Sequence, residues 1–449
     1  MDQMTSKLIP NLFNCKIAII GQGYVGCPLT VNLAKELESI NNSKSTIIGF
    51  DKSNKRLEEL SKGIDNTNEI NNLDFNKFKN LEFSSSVDKL LDCDIYILAV
   101  PTPVDKCNKP DLYLLENATK LVAEQILKSK ESNYKKIVIY ESTVYPGATE
   151  EVCLPILLEI TNLKLHEEIS IAYSPERINP GDKEHTLKDI SKIVSASDPE
   201  SLELIYDLYT LIIEAKVYKA NSIKVAEASK VVENVQRDLN IALVNELSMI
   251  FEKLNINTTE VLEAANSKWN FTKYQPGLVG GHCIGVDPYY LTYRAELTGY
   301  HPEVILAGRR INDNMGNWIA NTTIKKYIRN KPKLLSEINV LIMGFTYKAN
   351  CPDIRNSKVY DIFKTLEEYG CNIDLYEPMA DDLLIKENYN IEVIKENELK
   401  PKYDIIIVAV AHNEFKSKDI HYWISKTKKH SIIVDIKNIL PNHEIIWKI

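Results

Sequence analysis

Glycines are unusually dense around one cysteine, in the stretch VGGHCIGVDPYY at residues 279–290. Gly280, Gly281 and Gly285 surround Cys283, and Asp287 follows the cysteine by four residues. Glycine lets a substrate approach the backbone closely, and a cysteine attacks carbonyl carbon once nearby cations or N–H groups favour its thiolate. The stretch therefore favours a nucleophilic cysteine. An inert buried thiol is the alternative.

The sequence GQGYVG at residues 21–26 has the glycine spacing of a dinucleotide-binding turn. Gly21, Gly23 and Gly26 follow a predicted strand and open a predicted helix, so a pyrophosphate can approach the helix N-terminus. Asp51 ends the next predicted strand, where a carboxylate binds ribose hydroxyls and disfavours a 2′-phosphate. The pattern predicts NAD as the cofactor, and a tight turn that binds no ligand is the alternative.

NAD together with a nucleophilic cysteine predicts oxidation of an aldehyde through a thiohemiacetal to a thioester, which water then hydrolyses. Lys230 and Asn234 are four residues apart on a helix predicted at Ile223–Leu254, so they share one face. There they can stabilise an oxyanion. A solvated side chain is the alternative for Lys230.

Polar side chains also follow three of the predicted strands. Thr102 in VPTP and Thr143 in ESTVYPG lie where parallel strands end and ligands bind, so their hydroxyls are predicted near the nicotinamide. Helix capping is the alternative for both. Glu176 in SPER is a candidate for positioning water, and a solvated ion pair with Arg177 is the alternative.

Composition narrows the class of protein. The chain has 449 residues and a formal net charge of −8, which provides no basic field for nucleic acid. Its eight cysteines form no C-x-x-C pair, so neither a metal site nor a disulfide framework is predicted. No signal peptide or spanning apolar run is recognisable, so we expect a cytoplasmic protein without a membrane partner.

The order of predicted elements indicates an α/β fold, with two Rossmann-like doubly wound parallel-sheet domains joined by a long central helix and a helical linker domain. Strand and helix patterns alternate from Lys16 and again from INVLIMGFTYK at residues 338–348. The central helix lacks proline and glycine, and one side of it can carry the apolar residues Val225, Val232, Val235, Leu239, Leu243 and Ile250. The expected domains are residues 1–210, 211–330 and 331–449.

These motifs together resemble the UDP-glucose/GDP-mannose dehydrogenase family over almost the whole chain. Seven occur in the family's order and spacing: GQGYVG, VPTP, ESTVYPG, SPER, AEASKVVEN, GGHCIGVDPYYL and GFTYKANCPDIRNS. The resemblance implies that two NAD molecules and one water convert the C6 alcohol of a nucleotide-activated sugar to a carboxylate. It also implies NAD on the first domain, UDP on the last, and a homodimer formed through the central domain.

The resemblance assigns roles to individual residues. Cys283 is the expected nucleophile, and Lys230 and Asn234 the oxyanion stabilisers. Asp287 is expected to activate water or hold Lys230, Glu176 to act in acid/base and hydrolysis steps, and Thr143 to orient a water. The expected cofactor-binding residues are Gly21, Gly23, Tyr24, Val25, Gly26, Asp51, Arg56, Thr102 and Arg355. The expected substrate-binding residues are Arg177, Lys230, Asn234, Tyr274, Gly280, Arg309 and Lys348.

Within the family, the motifs are most similar to UDP-N-acetylhexosamine 6-dehydrogenases of surface-polysaccharide pathways. This implies UDP-N-acetylglucosamine or UDP-N-acetylgalactosamine as substrate and a product for capsule or O-antigen synthesis. The UDP-glucose branch typically has a lysine where this chain has Val286, so no role of that lysine carries over. The alternatives are UDP-N-acetylmannosamine or UDP-glucose as substrate, a two-electron dehydrogenase or epimerase-like protein in which Cys283 is structural, and a binding protein without turnover.

Overall fold

The structure is a computed structural model that describes residues 7–67, 69–70, 77–178, 186–330 and 333–449. The residues that follow SPER in the sequence, 179–185, lie outside the described part. The chain divides into two compact units, residues 1–233 with 289–298 and residues 234–288 with 299–449. The expected division into three domains stays a prediction.

The first unit is built on an eight-stranded sheet whose strands are β1 (Lys16–Ile20), β2 (Thr46–Phe50), β3 (Leu81–Ser84), β4 (Ile95–Leu98), β5 (Lys136–Tyr140), β6 (Ile169–Tyr173), β7 (Lys192–Ala196) and β8 (Val217–Lys219). The order across the sheet is β3-β2-β1-β4-β5-β6-β7-β8. All neighbours are parallel except β6 and β7, which are antiparallel. The order reverses between β1 and β4, so a ligand crevice is expected at their carboxyl ends.

Helices follow these strands as a doubly wound fold requires: α1 (Gly26–Ser39), α2 (Asn54–Ser61), α3 (Tyr113–Lys128), α4 (Leu154–Thr161) and α5 (Pro199–Thr210). The side chain of Ser53 accepts an N–H at the start of α2, and that of Asp198 does so at the start of α5. Every residue of β4, β5 and β6 is buried, because helices cover both faces of the sheet.

The central helix, α6 (Ile223–Leu254), has the bounds that the sequence predicts. It runs for 32 residues without interruption because the segment contains neither proline nor glycine. Its residues up to Glu233 belong to the first unit, and those from Asn234 belong to the second. Three more helices follow it in the chain: α7 (Thr258–Ala265), α8 (Asp287–Leu297) and α9 (Glu303–Asn330).

The second unit contains a five-stranded parallel sheet in the order β10-β9-β11-β12-β13, with strands β9 (Asn339–Met343), β10 (Asn372–Tyr376), β11 (Tyr403–Val408), β12 (Thr427–Asp435) and β13 (Ile446–Lys448). Its helices are α10 (Val359–Glu368), α11 (Asp382–Tyr389), α12 (Asn413–Lys416) and α13 (Ile420–Ser425). Ile405 and Ile407 enter one apolar cluster while Ile406 and Val408 enter another, so both faces are covered. The predicted α/β class is confirmed.

Short strands are where the structure adds to the sequence prediction. β7 and β8 extend the first sheet beyond the strands that were predicted from hydrophobic runs. β8 has only three residues, of which Val217 alone is buried, so the sequence gives little sign of this strand. In the described part of the chain, no helix is long and apolar enough to cross a membrane.

Candidate active site

The glycines at the turn from β1 to α1 form a cradle, and two of its three positions fit only glycine. Gly21 has φ of +96°, and a Cβ there would lie 2.7 Å from the Ala99 carbonyl oxygen. A Cβ at Gly26 would lie 1.8 Å from the Gly21 carbonyl oxygen, whereas one at Gly23 would meet nothing within 4 Å. Two glycines therefore serve the tight turn, and the third leaves open backbone beside the N-terminus of α1.

Asp51 and Arg56 complete this cradle. The Asp51 carboxylate follows β2 and accepts the N–H groups of Gln22, at 2.8 Å, and Ser53, at 2.9 Å. Arg56 donates from Nε to the Gln22 carbonyl oxygen, at 2.8 Å, and from Nη2 to Asp65, at 2.6 Å. Among the described residues, its buried Nη1 has no hydrogen-bond partner. An open glycine backbone, a strand-end carboxylate and an unsatisfied guanidinium nitrogen fit a bound dinucleotide.

Thr102 lies in the loop after β4, and Thr143 lies in the loop after β5. A hydrogen bond between the two residues joins these loops. The Thr102 hydroxyl donates to the Thr143 carbonyl oxygen at 2.6 Å, and the Tyr290 hydroxyl donates to the Thr102 carbonyl oxygen at 2.6 Å. The N-cap residues of the helical turns that follow these loops are Leu112 and Ala148. Helix capping by the two threonines is therefore wrong.

Glu176 and Arg177 are not paired with each other. One carboxylate oxygen of Glu176 accepts the N–H groups of Arg177, at 2.5 Å, and Ile178, at 2.6 Å. The other oxygen lies 3.4 Å from the ammonium of Lys192. The guanidinium of Arg177 pairs with Glu233 at 2.7 Å. Since only 9% of Glu176 is exposed, the solvated ion pair is wrong, and Glu176 is held in a buried setting.

In the second unit, Asp287 is linked to Asn234 through its side chain and to Cys283 through its backbone. The Cys283 carbonyl oxygen accepts the N–H groups of Val286, at 3.0 Å, and Asp287, at 2.8 Å, as α8 begins. The Asn234 amide donates to the Asp287 carboxylate at 2.5 Å. Asp287 is 3% exposed and Asn234 7%, so this amide–carboxylate pair is nearly dry.

The exposure of Lys230 and Cys283 bears on whether the lysine is a solvated side chain and whether the cysteine is a buried thiol. Lys230 precedes Asn234 by about one turn of α6 and is 8% exposed, so the solvated side chain is wrong. Cys283 is partly exposed, unlike the buried cysteines Cys15, Cys27, Cys93, Cys153 and Cys351. Burial raises the pKa of Cys15, Cys27, Cys93 and Cys153 to about 12, which makes those four thiols poor nucleophiles.

The glycines before Cys283 allow its loop to lie against the segment after β9. A Cβ at Gly280 would lie 2.7 Å from the Asn356 carbonyl oxygen. Gly281 has φ of +84°, and a Cβ there would lie 2.8 Å from the Tyr347 ring. A Cβ at Gly285 would meet its nearest atom only at 3.5 Å. Close packing against the Asn356 backbone and the Tyr347 ring therefore explains the first two glycines, and it fixes the position of the cysteine loop.

A cavity of about 210 Å³ adjoins this loop within the second unit. Leu278 and Gly280 line it together with the predicted substrate residue Lys348 and two further lysines, Lys358 and Lys437. Sequence reasoning missed Lys437, whose only signal is its place two residues after β12. Burial lowers the pKa of Lys437, and its ammonium has no ion-pair partner among the described residues. Such a cavity suits an anion.

Three other predicted site residues make contacts inside the second unit. Arg309 is 2% exposed, and its guanidinium pairs with Asp238, at 2.6 Å, and Asp313, at 2.5 Å. Arg355 pairs with Asp353 at 2.5 Å. The Tyr274 hydroxyl lies 3.4 Å from the Gln236 amide. Arg309 thus connects α6 to α9, and contact of these residues with a ligand stays a prediction.

Known protein families match the regions of this chain that contain these motifs. Residues 15–213 match the NAD binding domain of the UDP-glucose/GDP-mannose dehydrogenase family, residues 224–314 its central domain, and residues 341–442 its UDP binding domain. The UDP-N-acetyl-D-glucosamine 6-dehydrogenase of Salmonella typhi is 48% identical over 430 residues, 95% of this chain and 96% of that protein. Protein CapL of Staphylococcus aureus is 46% identical, over 97% of this chain and 100% of that protein.

The fold is shared with solved structures as well. The structure of a UDP-D-ManNAc dehydrogenase from Pyrococcus horikoshii matches with a TM-score of 0.84 at 26% identity. The match covers 96% of this chain and 98% of that chain. Fold and motifs are therefore shared over nearly the full length.

Proposed function

Because the chain belongs to the UDP-glucose/GDP-mannose dehydrogenase family, we propose that it oxidises the C6 hydroxyl of a UDP-N-acetylhexosamine to a carboxylate. The chain is an NAD-dependent nucleotide-sugar dehydrogenase. UDP-N-acetylglucosamine is the first expected substrate and UDP-N-acetylgalactosamine the second. The substrate named for the relative at 48% identity supports this choice. The observation that carries the mechanism is the buried Asn234–Asp287 pair, whose Asp287 N–H donates to the carbonyl oxygen of the partly exposed Cys283.

The net reaction converts the alcohol and one water to a carboxylate, with release of two hydrides and three protons. Bound NAD supplies the acceptor for each hydride. Between the two oxidations, the Cys283 sulfur forms a bond to the aldehyde carbon, which gives a thiohemiacetal. Loss of the second hydride turns this adduct into a thioester, and water then cleaves its carbon–sulfur bond and restores the thiol.

The residues assigned roles beside the nucleophile suit the charge that forms in these steps. An oxyanion develops when sulfur adds to the aldehyde and again when water adds to the thioester. Asn234 gives one amide hydrogen to Asp287, which orients the side chain and leaves its second N–H for the oxyanion. Lys230, on the preceding turn of α6, adds a positive charge. Glu176 and Thr143 take the water-activating and water-orienting roles.

The lysines of the cavity support a diphosphate as the part of the substrate that binds there. Lys358 is already paired with Asp313 and Asp361, both at 3.2 Å. The ammonium of the half-buried Lys437 has no such counter-charge among the described residues, so an incoming diphosphate would offset the cost of its partial burial. Lys348 on the same wall makes the site more cationic. We assign this cavity to the UDP group.

The exposed side of α6 supports a homodimer. Val225, Val232, Leu243 and Ile250 recur at intervals of 7, 11 and 7 residues and are between 45% and 54% exposed. These intervals place them on one face of a helix, where an apolar row is covered best by a second copy. We further propose a cytoplasmic enzyme whose product enters capsule or O-antigen synthesis. The motif resemblance and the similarity to CapL support this setting.

Counting NADH formed per sugar consumed tests the proposal. The purified chain is given UDP-N-acetylglucosamine, UDP-N-acetylgalactosamine, UDP-N-acetylmannosamine or UDP-glucose in turn. Two NADH per N-acetylated sugar support four-electron oxidation, and the preferred sugar identifies the substrate. One NADH per sugar would point to a two-electron dehydrogenase. Binding without any NADH would leave a binding protein.

Replacing Cys283 tests the covalent step directly. Cys283→Ser is expected to abolish net acid formation while the affinity for NAD stays within about twofold, because the thiol acts on the sugar. Cys107→Ser is the matched control, since Cys107 is an exposed cysteine in a loop of the first unit. Full acid formation by Cys283→Ser, or equal loss in both variants, would refute the assignment of the nucleophile.

A further inference from the structure

The exceptional antiparallel strand of the first sheet places a lysine beside Glu176. β5 and β6 are parallel, so their carboxyl ends lie at one edge, where Glu141 and Glu176 follow them. β7 runs the other way along β6, so its first residue, Lys192, lies at that same edge. A parallel strand would have placed its first residue at the opposite edge.

Lys192 bridges the two carboxylates in a nearly dry setting. Its ammonium lies 2.6 Å from Glu141 and 3.4 Å from Glu176, and Lys192 is 2% exposed and Glu141 1%. The Tyr209 hydroxyl on α5 donates to the other oxygen of Glu141. Lys192 also lies 5.1 Å from the centre of the Tyr209 ring. Both carboxylate oxygens of Glu141 therefore have partners, and Glu141 holds the Lys192 ammonium in place.

We propose that Lys192, anchored by Glu141, is a positioning residue that orients the Glu176 carboxylate and keeps a positive charge beside it for the hydrolysis step proposed for Glu176. The inference rests on the function proposed above. Backbone N–H groups fix one oxygen of Glu176, and Lys192 faces the other. That second oxygen is the one left to accept a proton from water.

The charge balance of the cluster determines what a substitution will do. It contains two carboxylates, one ammonium and the Tyr209 phenol, and the neighbouring Arg177 is directed to Glu233. Burial raises the pKa of Glu141 to about 7. Burial acts to lower the pKa of Lys192, but the charges of the two carboxylates outweigh it and raise that pKa. The ammonium is therefore held charged.

Removing the cation and removing the anchor have opposite expected effects. Lys192→Met leaves two carboxylates close together, so the acidic limb of the kcat–pH profile should move up by about one to three pH units. Glu141→Gln leaves Lys192 to Glu176 alone, so the limb should move down. Lys192→Arg keeps the charge and should restore the limb to within about half a unit.

The step affected is visible in single-turnover experiments. At pH 7, Lys192→Met should form two NADH per active site rapidly and then turn over at least roughly tenfold more slowly than the unchanged protein. Intact-mass spectrometry should then show the sugar acyl group retained on Cys283. Lys135→Met is the matched control, because Lys135 is equally buried but precedes β5 at the opposite edge of the sheet. It should lower stability without moving the pH profile.

The outcomes separate the inference from the function on which it rests. If the unchanged protein does not form two NADH per sugar, the proposed function fails. If it does, but neither Lys192→Met nor Glu141→Gln moves the acidic limb, Lys192 is merely structural and the inference is overturned. Should Lys192→Met fail to fold, Glu141→Gln decides, because an acidic limb that this variant does not lower would also overturn the inference.

Discussion

Gly280→Ala should damage both the stability of the second unit and the position of Cys283. The new Cβ would lie 2.7 Å from the Asn356 carbonyl oxygen and 3.1 Å from the Tyr347 Cβ. Backbone cannot rotate away as a flexible side chain can, so the loop must shift by roughly 0.7 Å to reach an ordinary contact. Overpacking of this kind costs about 1–3 kcal/mol.

The same shift should lower catalysis, because Cys283 follows Gly280 by three residues. A misplacement approaching 1 Å costs up to about 100-fold in rate, so kcat should fall about 10- to 100-fold. The melting temperature should fall by about 2–4 °C for each kcal/mol lost. Thermal unfolding and NADH formation at saturating substrate measure the two effects.

Gly285→Ala is the matched control in the same loop. Its Cβ would meet its nearest atom at 3.5 Å, so it should change stability by no more than about 0.5 kcal/mol and leave kcat within about twofold. If Gly280→Ala keeps the unchanged melting temperature and kcat, or if Gly285→Ala costs as much, close packing is not what these glycines provide.

Three further predictions concern the cofactor, the substrate and pH. Asp51→Ala should raise the KM for NAD about tenfold through loss of a charged hydrogen-bond acceptor, while iodoacetamide still alkylates Cys283; unchanged KM would contradict the assignment. Lys437→Met should raise the KM for the UDP-sugar about tenfold but not the KM for NAD, and Lys437→Arg should recover part of the loss. Burial acts to raise the pKa of Asp404, yet hydrogen bonds from the Asn339 N–H and neighbouring side chains hold it at about 2, below its unfolded value. Its stabilising effect is therefore present above about pH 4 and lost as pH falls towards 2, so the melting temperatures of the unchanged protein and Asp404→Asn should converge over that range.

Local patterns account for what the sequence predicted well. The glycine turn, the strands on either side of it and the bounds of α6 depend on residues that are neighbours in the chain, and spacing records such relations directly. The cysteine loop was recognisable for the same reason. The sequence even placed Lys230 and Asn234 on one face, because helix geometry alone sets that relation.

Partners distant in the chain account for what the sequence did not predict. Thr102 bonds to the Thr143 backbone, Arg309 is buried against Asp238, and neither partner is marked by spacing. The glycines at 280 and 281 suggested access for a substrate, whereas in the structure they accommodate the Asn356 backbone and the Tyr347 ring. A side chain's neighbours depend on how whole elements pack.

The sequence by itself determined the chemistry that this chain carries: a dinucleotide turn, a thiol in a glycine-rich loop, and a family resemblance along nearly all its length. Only the tertiary structure decided which charges surround those groups. Lys192 reaches Glu176 because one strand reverses direction. The half-buried Lys437 lines a cavity with Lys348 because β12, β11 and β9 are successive parallel strands that end at the same edge of their sheet. Such positions follow from sheet order and strand direction, which hydrogen bonds between distant segments establish and no local pattern encodes.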